Sequence, residues 1–274
     1  MFLIFLFILG LVIGSFLNVL IDRLPNEESI NGRSHCDYCK KTLSAGDLIP
    51  VVSYVWLKGK CRYCKKKLSI QYPLIEIFTG IVFILIWHFV GSSVILGNVV
   101  TPESRLWTSQ SDILKICYLG IISTLIVIFF ADVKYHIIPD SMQIAFFVFS
   151  LLFIFVGNGL KPFPTLTDHL ISGLITLAPI LFIFLITRGR GMGFGDVKLA
   201  FIIGFFLGLW PGLMALYIAF ILGAVWGVAM ILFKRRGLKS KIAFGPFLVL
   251  GIVCMLVWGD GIMSLAKNYY PFLN

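Results

Sequence analysis

Ala131-Asp132-Val133-Lys134-Tyr135-His136-Ile137-Ile138-Pro139-Asp140 and Gly191-Met192-Gly193-Phe194-Gly195-Asp196-Val197-Lys198 each set an aspartate where a long apolar run meets a short polar break. An acid near membrane depth is costly to keep and points to function by default. Two such acids, each beside helix-disrupting Pro or Gly, indicate a pair brought together by helix packing. The apolar runs that flank them decide the fold. Runs of about 17 to 25 residues recur along the chain, each long enough to cross a hydrocarbon core of roughly 30 Å.

Composition agrees. Hydrophobic residues make up 59% of the chain and charged residues 13%, where a soluble domain has nearer a quarter charged. The expected fold is an all-α polytopic membrane protein of about eight transmembrane helices, with a small cytoplasmic zinc-ribbon-like loop domain. Residues 1–22 form the first transmembrane helix, 23–72 a four-cysteine zinc-binding domain, and 73–274 a transmembrane core of the remaining helices, about seven.

In order, the spans are expected at 2–21, 73–90, 112–131, 140–156, 168–187, 196–210, 213–233 and from Gly245-Pro246 to Lys267. Gly10 and Gly14 give the first a small-xxx-small face for close helix packing. No basic segment precedes it and no small-residue cleavage site follows it, so it reads as a retained helix, not a signal peptide. Pro73 suits a first helical turn. Residues 91–111 read as an external loop, Gly157-Asn158-Gly159 with Pro162 to Pro164 as an external turn, and Trp210-Pro211-Gly212 as the turn between spans six and seven.

The net charge of +10 raises nucleic acid as a partner, but its placement argues against one. With the first helix entering from outside, 19 of the 23 Lys and Arg fall in segments assigned to the cytoplasm. Only Arg105, Lys115, Lys161 and Lys267 fall on the other side. That asymmetry is the positive-inside rule at work. It places both termini outside and the polar loop inside, with the lipid bilayer as partner and anionic headgroups as a secondary contact.

Within the polar loop the sequence repeats. Cys36-Asp37-Tyr38-Cys39-Lys40-Lys41-Thr42-Leu43-Ser44 answers Cys61-Arg62-Tyr63-Cys64-Lys65-Lys66-Lys67-Leu68-Ser69. Two Cys-x-x-Cys knuckles supply four thiolates for a tetrahedral Zn2+ site, which a reducing compartment favours over disulfides. Four filled positions leave no place for a catalytic water, so the zinc is structural and holds a small loop folded. Cys117 and Cys254 sit inside apolar runs and read as small buried hydrophobes.

Asp132 and Asp196 are the candidate catalytic residues. Two carboxylates sharing one proton can hydrolyse a peptide: the ionised one activates water, and the protonated one polarises the carbonyl and assists the leaving amine. Gly193 and Gly195 remove side-chain bulk and let a substrate strand pass close. A plain alternative is that both acids are helix caps. Asp140, after Pro139, fits an N-cap still better, or a residue that holds Asp132 in place. His136 falls between them at i, i+4, i+8 spacing, but Pro139 interrupts a continuous helix and disfavours a metal site there. Lys198 could lower the pKa of a nearby carboxylate or simply snorkel. Glu76, near the start of the second span, is either an anion favoured at a helix N-terminus or a group facing substrate.

Taken together, Gly14-Ser15-Phe16-Leu17-Asn18-Val19 with Arg23-Leu24-Pro25, the paired Cys-x-x-Cys loop, Tyr72-Pro73-Leu74-Ile75-Glu76, Asp132 through Ile138-Pro139-Asp140, Gly193-Phe194-Gly195-Asp196-Val197-Lys198 and Phe244-Gly245-Pro246-Phe247 resemble the bacterial type IV prepilin peptidases, in order and over nearly the whole chain. The resemblance implies that Asp132 and Asp196 are the catalytic pair. It also implies substrates that are prepilins or pseudopilins: a short basic leader, a glycine before the cut and an apolar helix after it. Many members of the family methylate the new N-terminus with S-adenosylmethionine, a function associated with the zinc-containing region. The four cysteines leave that open here, and no glycine-rich strand-to-helix motif independently marks a nucleotide-like site. The competing reading is a non-enzymatic transporter whose membrane acids bind a proton or cation.

Overall fold

The computed structural model describes residues 1–91, 108–157, 163–189, 191–233 and 243–269, and among them the secondary structure is helical apart from two isolated bridges. It divides into two compact units, Met1–Val94 and Ile95–Asn274.

The first unit is a helix pair with a folded loop between its members. Helix α1 (Phe2–Arg23) and α3 (Gln71–Gly91) pack on one another, and the short α2 (Val52–Trp56) lies in the loop. Their crossing is close because glycine permits it. A Cβ built on Gly10 would stand 2.6 Å from Gly80 Cα, and one on Gly14 would stand 2.7 Å from Glu76 Cα. The small-residue face read from Gly10 and Gly14 is therefore the packing face. Asn18 stitches the same seam, donating from Nδ2 to Gly14 O and to Tyr72 O.

Among its described residues the second unit has six helices: α4 (Thr108–Tyr135), α5 (Asp140–Gly157), α6 (Phe163–Thr187), α7 (Phe194–Leu207), α8 (Leu209–Leu232) and α9 (Gly245–Tyr269). Helix α7 is central, packed against α5, α6, α8 and α9. Phe146, Phe205, Leu199 and Ile203 are fully buried at its contacts, and Phe206 meets Tyr118, Phe146 and Phe153 edge to face. Gly204 lets α7 approach Ser172 and Thr176 of α6, and Gly212 of α8 comes against Gly204 in turn. Large apolar side chains such as Ile144, Phe182, Leu185 and Val225 point outward, as lipid contact requires.

Among the described residues, six helices are long and apolar enough to cross a membrane, and α5 is a shorter apolar helix. Helix α7, at 14 residues, spans about 21 Å, so the expected count of eight spans is not established by length. Its shortness has a local cause. The chain breaks at Gly208 (φ 84°) and re-enters helix at once. The turn expected at Trp210-Pro211-Gly212 thus lies two residues earlier. Pro211 instead occupies the first turn of α8, where its missing N–H is no loss. The boundaries expected at Gly245 and Asp140 match the observed starts of α9 and α5. Most of the 91–111 loop and residues 158–162 fall outside the described residues.

Candidate active site and metal centre

Asp132 lies in the last turn of α4, buried at 5% exposure, and Asp196 lies in the first turn of α7 at 7%. Each carboxylate is anchored through Oδ2 by one backbone N–H at a helix N-terminus. Gly245, the first residue of α9, donates to Asp132 Oδ2 at 2.9 Å. Gly193, the N-cap of α7, donates to Asp196 Oδ2 at 3.0 Å. Exposed N–H groups and the positive end of a helix both favour an anion, so the fold stabilises two buried acids that it would otherwise reject. Asp196 is therefore not the N-cap that the sequence alternative allowed; it sits three residues inside and reaches back to the cap.

One side chain marks how near the two anchors lie. Ile138 Cδ1 would be 3.1 Å from a Cβ on Gly245, and Ile138 Cβ 3.3 Å from a Cβ on Gly195. Ile138, from the 136–139 break between α4 and α5, thus touches both the α9 start beside Asp132 and the residue before Asp196. His136 takes a left-handed backbone (φ 56°) to make that break, its N–H still bonded to Asp132 O.

The other candidates divide between the units. Asp140 and Lys198 form an exposed ion pair at 2.8 Å, so Lys198 is committed to Asp140 and also lies over the Phe194 ring. Gly195 faces Ile138 and the Gln143 amide. Glu76 belongs to the first unit, buried, and accepts the Val51 N–H at 2.7 Å; it ties the loop to α3.

The four loop cysteines converge. Their sulfurs all lie within 4.8 Å of one another, with Cys36 Sγ and Cys64 Sγ 3.9 Å apart. Tetrahedral zinc with Zn–S near 2.3 Å needs sulfur separations of about 3.8 Å, so the donor set fits. The repeat in sequence is a repeat in space. In each knuckle the first cysteine's N–H bonds five residues ahead, to Lys41 O or Lys66 O, and its carbonyl accepts from Lys40 or Lys65. Both of those lysines adopt positive φ, 54° and 60°. The knuckles also clasp reciprocally: Lys41 lies over Tyr63, and Lys66 over Tyr38. Burial pushes the Cys36 thiol up, to about 11, while at Cys61 burial is outweighed by the backbone N–H groups of Cys64 and Tyr63 and the neighbouring thiols, which pull it down, to about 7. Asp47 links the halves, accepting from Ser44 at 2.7 Å and pairing with Arg62 at 2.7 Å.

Tyr72 and Gly245 lie in motifs quoted above, but nothing in the sequence marks what they meet: Gly245 bonds Asp132, and the Tyr72 hydroxyl lies 2.9 Å from Asp22 and 3.1 Å from Asp37. Both are long-range pairings. The Gln143 amide had no signal at all; it is buried with no hydrogen-bond partner among the described residues.

The apolar helices and the two buried acids fit an integral-membrane enzyme, and the comparisons with known proteins give its class. Residues 8–90 match the model of the bacterial peptidase A24 N-terminal domain, and 119–228 that of the type IV leader peptidase family. A prepilin leader peptidase/N-methyltransferase of Aeromonas salmonicida is 30% identical, with 93% of this chain and 90% of the relative covered. The protein of the same name from Bacillus subtilis is 30% identical over 94% and 95%, and that from Neisseria gonorrhoeae 30% over 88% and 85%. No solved structure gives a significant match. The chain belongs to the type IV leader peptidase family.

Proposed function

We propose that this chain is a multi-pass aspartyl endopeptidase that removes the basic leader from prepilins or pseudopilins, cutting after a glycine at the cytoplasmic face of the bacterial inner membrane, and that it N-methylates the new N-terminus. The observation that carries the cleavage reading is the pair Asp132 and Asp196, drawn from two helices and each held by a helix N-terminus. With Oδ2 of each acid held by a backbone N–H, Oδ1 of each is left to do the chemistry. The ionised acid takes a proton from water, and the protonated one polarises the scissile carbonyl, then returns its proton to the leaving amine. Water attacks the carbonyl carbon, the C–N bond breaks, and the pair ends with one shared proton as it began. Gly193 and Gly195 keep side chains out of the path. Asp140 and Lys198 steady the mouth of the site as an ion pair, and Glu76 braces the loop on α3. Cation transport, the competing reading, has no support from the family to which the chain belongs.

Cys36, Cys39, Cys61 and Cys64 hold structural Zn2+ and fold the 23–72 segment, while residues 73–274 carry the proteolytic core. The charge asymmetry supports a cytoplasmic zinc loop and acids, with both termini outside if the spans number eight. For methylation the first unit offers a cavity bordered by Asn18, Asp22, Asp37, Tyr72 and Glu76. Asn18 Oδ1 is buried there without a partner among the described residues. The lining is largely apolar and includes Arg23 and Arg62, with Asp22, Asp37 and Glu76 as its acids; S-adenosylmethionine, a sulfonium with apolar and polar parts, supplies an electrophilic methyl group when bound. These residues would hold it.

Mass spectrometry of a prepilin processed by the purified protein tests both activities. The expected product begins immediately after the leader glycine and carries one added methyl on its amine. An intact substrate contradicts the peptidase assignment, and a cut but unmethylated product contradicts the second activity alone.

A further inference from the structure

Gln143 sits on the first turn of α5, one turn beyond Asp140. It is only 2% exposed, and neither Nε2 nor Oε1 has a hydrogen-bond partner among the described residues. Leaving both ends of a buried amide unmet is costly, and native proteins rarely tolerate it. A leucine of similar volume would fill the position without that cost. The amide is also not randomly placed. Its Nε2 would lie 3.6 Å from a Cβ on Gly195, the residue before Asp196. It borders a cleft of about 470 Å³ between α5 and α7, with Asp140 and Lys198 at the polar end and Phe147 and Phe201 in the apolar wall.

We propose that Gln143 is a substrate-binding residue, its amide pairing with a peptide group of the substrate backbone beside the scissile bond. The inference rests on the peptidase reading above. A primary amide offers one donor and one acceptor side by side in a plane, which a backbone C=O and N–H on an extended strand can both meet. A lone cation or anion would use only half of it. Gly195 has no side chain between the amide and the neighbouring acid. Ile138 rests on the same glycine, so a strand that displaces Ile138 comes against the Gln143 amide and lies next to Asp196. The unmet polar groups of the free enzyme are then satisfied only in the complex, which places the gain in substrate binding rather than in folding.

The test uses full-length protein in lipid nanodiscs with a prepilin peptide. It adds a series in which single backbone amides flanking the cut are replaced by esters, deleting one N–H each. Gln143→Leu is expected to unfold at the same temperature as wild type or higher, yet to lose about ten- to a hundredfold in kcat/KM, mainly through KM. One ester substitution should lower wild-type kcat/KM by about tenfold and cost Gln143→Leu nothing further. Unchanged kinetics in Gln143→Leu would overturn the proposal, as would an ester penalty equal in both enzymes. Should the leucine variant not fold, the wild-type ester series decides: no sensitive amide within two residues of the cut would refute it. A wild type that fails to cut at all defeats the peptidase reading and this inference with it, whereas a wild type that cuts like Gln143→Leu defeats this inference alone.

Discussion

Gly245→Ala is a small change aimed at the centre of the proposed site. A Cβ there would stand 2.7 Å from Asp132 Oδ2, 3.2 Å from its Cγ and 3.1 Å from Ile138 Cδ1. Ordinary carbon–oxygen contact begins near 3.4 Å, so either the carboxylate or the start of α9 must retreat by roughly 0.5 Å or more. The carboxylate cannot simply swing aside, because the same oxygen accepts the Gly245 N–H at 2.9 Å. Misplacing a catalytic group by about 1 Å can cost a hundredfold in rate, and half that displacement with a weakened anchor should cost about ten- to a hundredfold in kcat. KM should change little, since nothing in the substrate path is filled. The assay is steady-state cleavage of a prepilin peptide, with thermal unfolding measured alongside. Gly261→Ala supplies the control: it lies in the same helix with nothing within 4 Å of its notional Cβ, and should leave rate unchanged. If Gly245→Ala cut within threefold of wild type while folded, the anchoring of Asp132 by α9 would not matter to the chemistry.

Other expectations follow from the first unit. Gly10→Val drives a side chain into the Gly80 backbone; it should destabilise the helix pair by about 1–3 kcal/mol or more, read as a lowered unfolding midpoint, and an unchanged midpoint would mean that α1 and α3 do not cross there. Cys36→Ser should release zinc and loosen the loop while Asp132 and Asp196 keep their local bonds; full zinc content by elemental analysis would reject the four-cysteine site. Burial pushes the Asp47 carboxyl upward, but hydrogen bonds from Ser44 and the Arg62 guanidinium prevail and hold it below its ordinary value. A depressed folded-state value gives stability that is complete above the unfolded carboxylate range, near pH 4, and is lost as pH falls through the folded value. The midpoint difference between wild type and Asp47→Asn, followed with zinc present, should therefore hold steady from about pH 8 to 5 and shrink below about 4; a difference that grew with acid would contradict the pairing.

Much of this was legible in the chain because it was written in periodic or repeated form. Apolar runs gave the helices, the doubled Cys-x-x-Cys gave the four-cysteine cluster, and Gly10 with Gly14 gave the α1–α3 seam. The missed helix break shows the limit. Pro211 is the stronger breaker on paper, but Gly208 is what the chain needs for a φ of 84°, and proline is harmless in a first turn. The partners of the acids were illegible for a different reason. Asp132 and Gly245 are 113 residues apart, and a glycine at the head of a helix looks the same whether or not its N–H has a carboxylate to meet. Asp140 illustrates the converse: its position predicted a cap, while its side chain is turned to Lys198 on another helix. Gln143 carried no pattern at all; only its burial without partners singles it out.

The central claim is that Asp132 and Asp196 act as one unit. Cleavage rates for Asp132→Asn, Asp196→Asn and the double variant, each confirmed folded and zinc-loaded, test it most directly. Residues that work as a unit are non-additive, so each single change should abolish detectable cleavage and the double should be no worse than either. Substantial cleavage by either single variant, or separate losses that multiply in the double, would contradict a shared site.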